Sequence, residues 1–192
     1  IQGLALPDDD FVERLGIDLR GLFALNSHNW QVVQEDAGES WAYHDEWGIT
    51  HRRPKPDGLY YSIERVPLPG PGVTAQEIRD HAWPDMADPQ RIAGLWEQAA
   101  QYRAEGYGVV LKSPFAGIFE MAQRIVGMEN CLMMMAMDAK LAGVLFDRLL
   151  ELKLAFWEMA LPELADAVDV VAEFDDYGTQ TSQLISPHMF RQ

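Results

Sequence analysis

Two adjacent carboxylates, Asp175 and Asp176, directly follow the apolar run Val168 to Phe174. A carboxylate pair at the end of a strand has the chemistry to bind a metal, orient a ligand or move protons, and these two are the catalytic candidates. The competing use of such a residue is to bracket the loop that follows. Glu173 lies two positions before Asp175, so strand alternation turns both to one face. Lys112, with Ser113 and Pro114, follows a second apolar run, Tyr107 to Leu111. A lysine there suits an anion, or serves as a solvated loop residue. Glu120 and Arg124 stand four apart, which makes them neighbours on one helix face. As a plain surface pair they would contribute only about a few tenths of a kcal/mol.

Other reactive residue types group less tightly. Cys131 lies beside Met133, Met134, Met135 and Met137, a soft apolar cluster that reads as core filling. The five histidines, at 28, 44, 51, 81 and 188, show no metal-ligand spacing. His44, Asp45 and Glu46 form the one dense cluster, but a strand would splay neighbours to opposite faces. Trp41 and Trp47 read as hairpin packing, or as a lid able to contact a flat macrocycle. No phosphate-binding glycine loop and no Gly-x-Ser-x-Gly elbow is present.

The elements that must position these residues change character along the chain. Pro7 to Leu15 reads as a short helix. Residues 41–53 and 59–66, rich in Trp, Tyr, Ile and Val, flank the turn-forming run Pro54 to Gly58 and read as a β-hairpin. Thr74 and Glu77 spell a capping box, and the residue before Pro84 closes the short helix that follows. Ile92, Leu95, Trp96, Ala99 and Tyr102 share one helix face, with Gly106 closing it. Tyr107 to Leu111 and Val168 to Phe174 read as buried strands. Helices are expected at about 117–126, 129–137 and 139–160, the last capped by Asp138. That last helix carries two apolar stripes, Leu141 to Phe156 and Phe146 to Trp157. They need neighbours on more than one side, or a homodimer contact. Strand, helices, strand in this order imply a parallel βαβ unit.

Composition bounds the function classes. The chain has 192 residues, 48% hydrophobic and 23% charged, long enough for one domain with a sizeable core. Its formal net charge of −15 argues against nucleic acid and anionic membranes as partners. The single cysteine allows no intrachain disulfide and fits a reducing cytoplasm. The segment Ile1 to Leu4 does not read as a signal peptide, and no apolar run approaches the roughly 20 residues that span a bilayer.

Several words in order resemble the uroporphyrinogen decarboxylase family in its broad sense. They are Leu15-Gly16-Ile17-Asp18, Asp45-Glu46-Trp47-Gly48, Trp83-Pro84-Asp85, and Gly117-Ile118-Phe119-Glu120 with Arg124 and Gly127. Asp175-Asp176-Tyr177-Gly178 and Ile185-Ser186-Pro187-His188-Met189-Phe190-Arg191 complete the set. The resemblance implies an α/β fold, a (β/α)-barrel of the TIM type with an N-terminal extension over its mouth. Residues 1–88 would be that extension with its β-hairpin, and residues 89–192 the first βα units. A whole barrel takes about 250 residues, so the resemblance implies a partial one of three or four units. The short helix begun at Ser186-Pro187 is expected to continue beyond Gln192.

The family has two chemistries. One is cofactor-free decarboxylation of a porphyrinogen, in heme and porphyrin biosynthesis. The other is methyl transfer with a corrinoid protein or cofactor, using zinc to activate a thiol. This chain lacks the arginine-bearing N-terminal wording of the decarboxylases and is more similar to the second branch. The expected zinc ligands, a His-x-Cys pair and a later Cys, lie outside this chain. The resemblance places Glu120 and Arg124 near the mouth of the barrel, and with Lys112, Glu173 and Gln180 they are the substrate-binding candidates for a small-molecule, tetrapyrrole or corrinoid substrate. The remaining alternative is a fragment without catalytic activity.

Overall fold

The computed structural model describes residues 8–191. The expected helix start at Pro7, the segment Ile1 to Leu4 and Gln192 lie outside these. Helix α1 (Asp9–Arg14) opens on Asp8, whose side chain accepts from the Phe11 N–H. Strand β1 (Leu19–Leu22) follows, then β2 (Glu35–Asp36), β3 (Ser40–His44), β4 (Thr50–Pro54) and β5 (Ser62–Arg65). Strands β2 to β5 form an antiparallel four-stranded meander in sequence order. The expected hairpin across Pro54 to Gly58 is present as β4–β5. Residues 41–53 are not one strand, however. A turn at Asp45–Gly48 folds β4 back on β3, with Tyr43 opposite His51. Gly48 takes the left-handed backbone that this turn needs, at φ 79°.

Helix α2 (Ala75–Asp80) carries the expected capping box, Thr74 and Glu77 bonding reciprocally. The next expected helix is interrupted at Gly94, also left-handed at φ 75°. A 3-10 turn over Pro89–Ile92 precedes it and α3 (Leu95–Ala104) follows. Strand β6 (Gly108–Lys112) then leads into α4 (Ile118–Val126), α5 (Met128–Met137) and α6 (Ala139–Leu164). Asp138 caps α6 through the Leu141 N–H, as its position predicts. Strand β7 (Val170–Ala172) and the short α7 (Pro187–Phe190) complete the described chain.

Strands β1, β6 and β7 form a parallel sheet in that order, so the expected parallel β6–β7 pair is present. The partial (β/α)-barrel is not. The chain builds one three-stranded parallel sheet and one four-stranded antiparallel sheet, and no barrel closes among the described residues. The reason lies in how the helices are spent. α4, α5 and α6 pack on one another within a single crossover from β6 to β7, so residues 89–191 yield two strands rather than three or four.

The core lies between the parallel sheet and that helical layer. Leu22, Val109 and Leu111 are fully buried on one sheet face, with Phe119, Ile125, Leu145, Leu149 and Phe156 in the same cluster. The other sheet face is open: Leu19 is 52% exposed and Val170 51%. Strand β7 is therefore an exposed edge strand of three residues, not the buried run expected from Val168 to Phe174. The first stripe of α6 is buried from Leu145 to Phe156, whereas Leu150 and Leu154 in the second stay exposed. No helix among the described residues is long and apolar enough to cross a membrane.

Candidate functional site

A cleft of about 560 Å³ opens between the β-meander and the C-terminal end of β6. This volume falls in the range of small-molecule sites. Lys112 ends β6 and reaches the cleft, with its ammonium 4.9 Å from the centre of the Phe23 ring. Glu120 and Arg124 enter from successive turns of α4 and pair with each other there, as their spacing predicts. Phe23, Trp30, Tyr43, Trp47, Phe115 and Phe174 supply aromatic walls. Trp47 meets Phe115 edge-on at 4.9 Å, which fixes the angle of the back wall.

The meander side of the cleft is organised by Asp45. Its Oδ1 accepts from the Trp47 and Ile49 N–H groups at 3.0 and 2.9 Å, which holds the β3–β4 turn. Its Oδ2 lies 2.8 Å from His51 Nε2. The His51 ring is stacked on Tyr43 at 4.6 Å and 7°. Burial, reinforced by the Asp45 charge, pushes the Tyr43 hydroxyl up to about 12, so it stays protonated across the physiological range. Glu46, the next residue, is clamped by the guanidinium of Arg91 at 3.0 and 2.6 Å. Arg91 is 1% exposed and also donates to the Asp85 and Leu25 carbonyls. This ties the meander to the turn that precedes α3.

The two aspartates part company. Asp175 leaves the sheet toward the helical layer. Its carboxylate accepts from the Phe119 and Glu120 N–H groups, both at 2.8 Å, and so caps α4. It also accepts from the Asp176 N–H. Burial and a hydrogen bond to Asp175 push the Tyr177 hydroxyl up to about 12. The Asp175 carboxylate is thus engaged chiefly in capping α4, with only the Asp176 N–H bond belonging to the loop that follows it. Asp176 is exposed and lines a second cavity of about 520 Å³ with Gln180, Gln123 and Glu120. Glu120 is the wall shared by the two cavities.

Glu173 does turn the same way as Asp175, but both point toward the helices rather than into a barrel. Glu173 accepts from Lys153 Nζ and from Trp157 Nε1, each at 2.7 Å. Lys153 is buried and also donates to Ser113 Oγ and the Ala116 carbonyl, which uses all three of its N–H bonds. The network locks α6 to the ends of β6 and β7.

No family model, no curated protein and no solved structure matches this chain. The zinc implied by the resemblance finds no fitting ligand set here. Among the described residues no group of three or more His, Cys, Asp or Glu side chains stands where it could hold a metal ion. Burial pushes the Cys131 thiol up to about 12, with the Asp175 charge adding to it, so the chain's single thiol is a poor thiolate donor.

Sequence reasoning brought Lys112, Glu120 and Arg124 to the cleft but passed over Tyr43, His51, Arg91 and Lys153. The signal for the first two was present. Asp45 and Gly48 occupy the first and fourth positions of a turn, where Asp and Gly are favoured, and a turn there folds residue 51 back onto residue 43. Nothing local marks Lys153, whose partners lie 20 to 40 residues away.

Proposed function

We propose that the cleft binds a flat macrocycle of tetrapyrrole type, and that the chain acts as a uroporphyrinogen-decarboxylase-like protein of the corrinoid-linked methyl-transfer branch. The observation that carries the reading is the make-up of the cleft. Six aromatic side chains surround a volume of about 560 Å³ with a lysine at its edge. Aromatic faces bind flat, unsaturated ligands by stacking, and the ammonium of Lys112 suits the carboxylate or amide arms of such a ring. Lys112 has no carboxylate partner among the described residues, whereas Arg124 is paired with Glu120. Two of the segments that carry the resemblance, Asp45 to Gly48 and Gly117 to Arg124, meet at this cleft, which supports the same reading.

Within the cleft, the chain's own residues bind and orient. Trp47 and Phe115 form the stacking wall, Lys112 fixes an arm, and the Glu120–Arg124 pair also lines the cleft. The zinc-activated thiol of that branch is assigned to no residue of this chain.

The test is titration of the chain with cobalamin and, separately, with uroporphyrin, followed by tryptophan quenching and ligand absorbance. Saturable cobalamin binding weakened by Lys112→Ala supports the reading. Uroporphyrin binding alone favours decarboxylation of a porphyrinogen, to which the cations Lys112 and Arg124 are also suited. Binding of neither ligand rejects the macrocycle and with it both of the family's chemistries.

A further inference from the structure

Among the described residues His51 is the one imidazole that lines the cleft, and nothing in the binding of a macrocycle uses it. Its setting differs from that of a histidine simply filling a sheet. Asp45 Oδ1 is taken by two backbone N–H groups, which turn the carboxylate and aim Oδ2 at His51 Nε2. An ionised carboxylate only accepts, so Nε2 carries the hydrogen and the lone pair sits on Nδ1. Nδ1 has no hydrogen-bond partner among the described residues. The ring cannot rotate away, because it is stacked on Tyr43, and Tyr61 closes on Tyr43 edge-on at 4.9 Å. An imidazole held in one tautomer by a half-buried carboxylate, with one ring nitrogen unpaired on the lining of an aromatic cleft, is the arrangement a general base requires.

We propose that the Asp45–His51 pair is a general base for ligands bound in the cleft. It would take a weakly acidic proton from a flat, largely apolar ligand onto Nδ1. His51 is the catalytic residue, and Asp45 is a positioning residue that fixes the tautomer and balances the imidazolium. The proton then leaves Nδ1 to water. The proposal rests on the cleft being a ligand site and does not depend on the ligand being a macrocycle.

A neutral probe tests this without knowledge of the natural ligand. 5-Nitrobenzisoxazole is flat and aromatic. A base removes its C3 hydrogen, the C–H electrons form the nitrile, the N–O bond breaks, and a coloured phenolate is released. The full chain is expected to convert it about 100-fold or more faster than an equal concentration of free imidazole. His51→Gln returns the rate to that of buffer, and Asp45→Asn lowers it about tenfold or more. His188→Gln, on exposed α7, leaves it unchanged. Ring 15N spectra separate positioning from mere folding: wild type shows the Nε2–H tautomer, and Asp45→Asn shows a mixture. If His51→Gln does not fold by circular dichroism, Asp45→Asn decides. No rate above imidazole in wild type overturns the proposal, and so does an unchanged rate in either variant. The cobalamin and uroporphyrin titrations are read separately, so failure of the macrocycle and failure of the base give different results.

Discussion

Asp175 lies so close to the bare backbone of Gly117 that a Cβ on residue 117 would stand 2.0 Å from its Cγ. Helix α4 has no side-chain cap from its own N-terminal residue, and Asp175 supplies one from the far end of β7. Removing that cap by Asp175→Ala is expected to cost about 1–2 kcal/mol. Gly117→Ala should cost about 1–3 kcal/mol, because the aspartate must move and its bonds to Phe119 and Glu120 break. The two changes act on one contact, so they should not add. Gly117→Ala made in the Asp175→Ala background is expected to cost much less than in wild type. Urea midpoints of the four proteins measure this, and additive losses would show that the contact does not exist as described.

This contact also shows how far the sequence could be read. The carboxylates after an apolar run were visible, and so was the option that one of them brackets a loop. What the sequence did not reveal is that the acceptor is needed 58 residues earlier, at a helix that begins on glycine. Local signals were reliable where the partner is local. The capping box at Thr74 and Glu77 and the Asp138 cap are both present. Positions decided by distant packing were not legible. Lys153 reads as one more charge on a long helix until Ser113, Ala116 and Glu173 gather round it. The barrel expectation failed for a different reason. It came from the resemblance, whereas the segment pattern already puts three helices between two strands, as the structure does. One missed turn at Asp45–Gly48 hid the meander and with it His51.

Arg91 and Glu46 form the most enclosed ion pair that borders the cleft, at 2% and 12% side-chain exposure. Arg91→Ala leaves the Glu46 carboxylate without its counter-charge and the Asp85 and Leu25 carbonyls without a donor. Removing one partner of a buried pair costs about 3–5 kcal/mol. Replacing both together, Arg91→Met with Glu46→Leu, should cost clearly less than Arg91→Ala alone. Chemical denaturation distinguishes the two outcomes. A loss below about 1 kcal/mol for Arg91→Ala would mean that the pair behaves as a surface contact.

Acid should loosen the same region. Asp88 accepts from the His28 and Gln90 N–H groups, and these backbone donors, with the His28 side chain adding a smaller part, hold its carboxyl down at about 2 instead of 3.8. A carboxyl held lower in the folded chain favours folding when ionised. Its contribution is therefore complete above about pH 4 and disappears as pH falls toward 2. Thermal unfolding of wild type and Asp88→Asn should differ at pH 7 and converge between pH 4 and pH 2. A gap that stays constant down to pH 2 would remove Asp88 from the acid response.

Cys131 is 2% exposed on α5, and burial raises its thiol to about 12. At pH 8 such a thiol is ionised to about one part in ten thousand, against roughly a quarter for an ordinary cysteine near 8.5. Alkylation requires both the thiolate and access, and the native fold withholds each. Iodoacetamide at pH 8 is therefore expected to leave Cys131 unmodified in the folded chain and to label it fully in urea, as read by intact mass. Labelling should then follow the unfolding transition seen by circular dichroism, because opening of the helical layer is what exposes the sulfur. Rapid alkylation of the folded chain would place the thiol in a solvent-reached, ionised setting. It would also return Cys131 to the residues able to act as a nucleophile or a metal ligand.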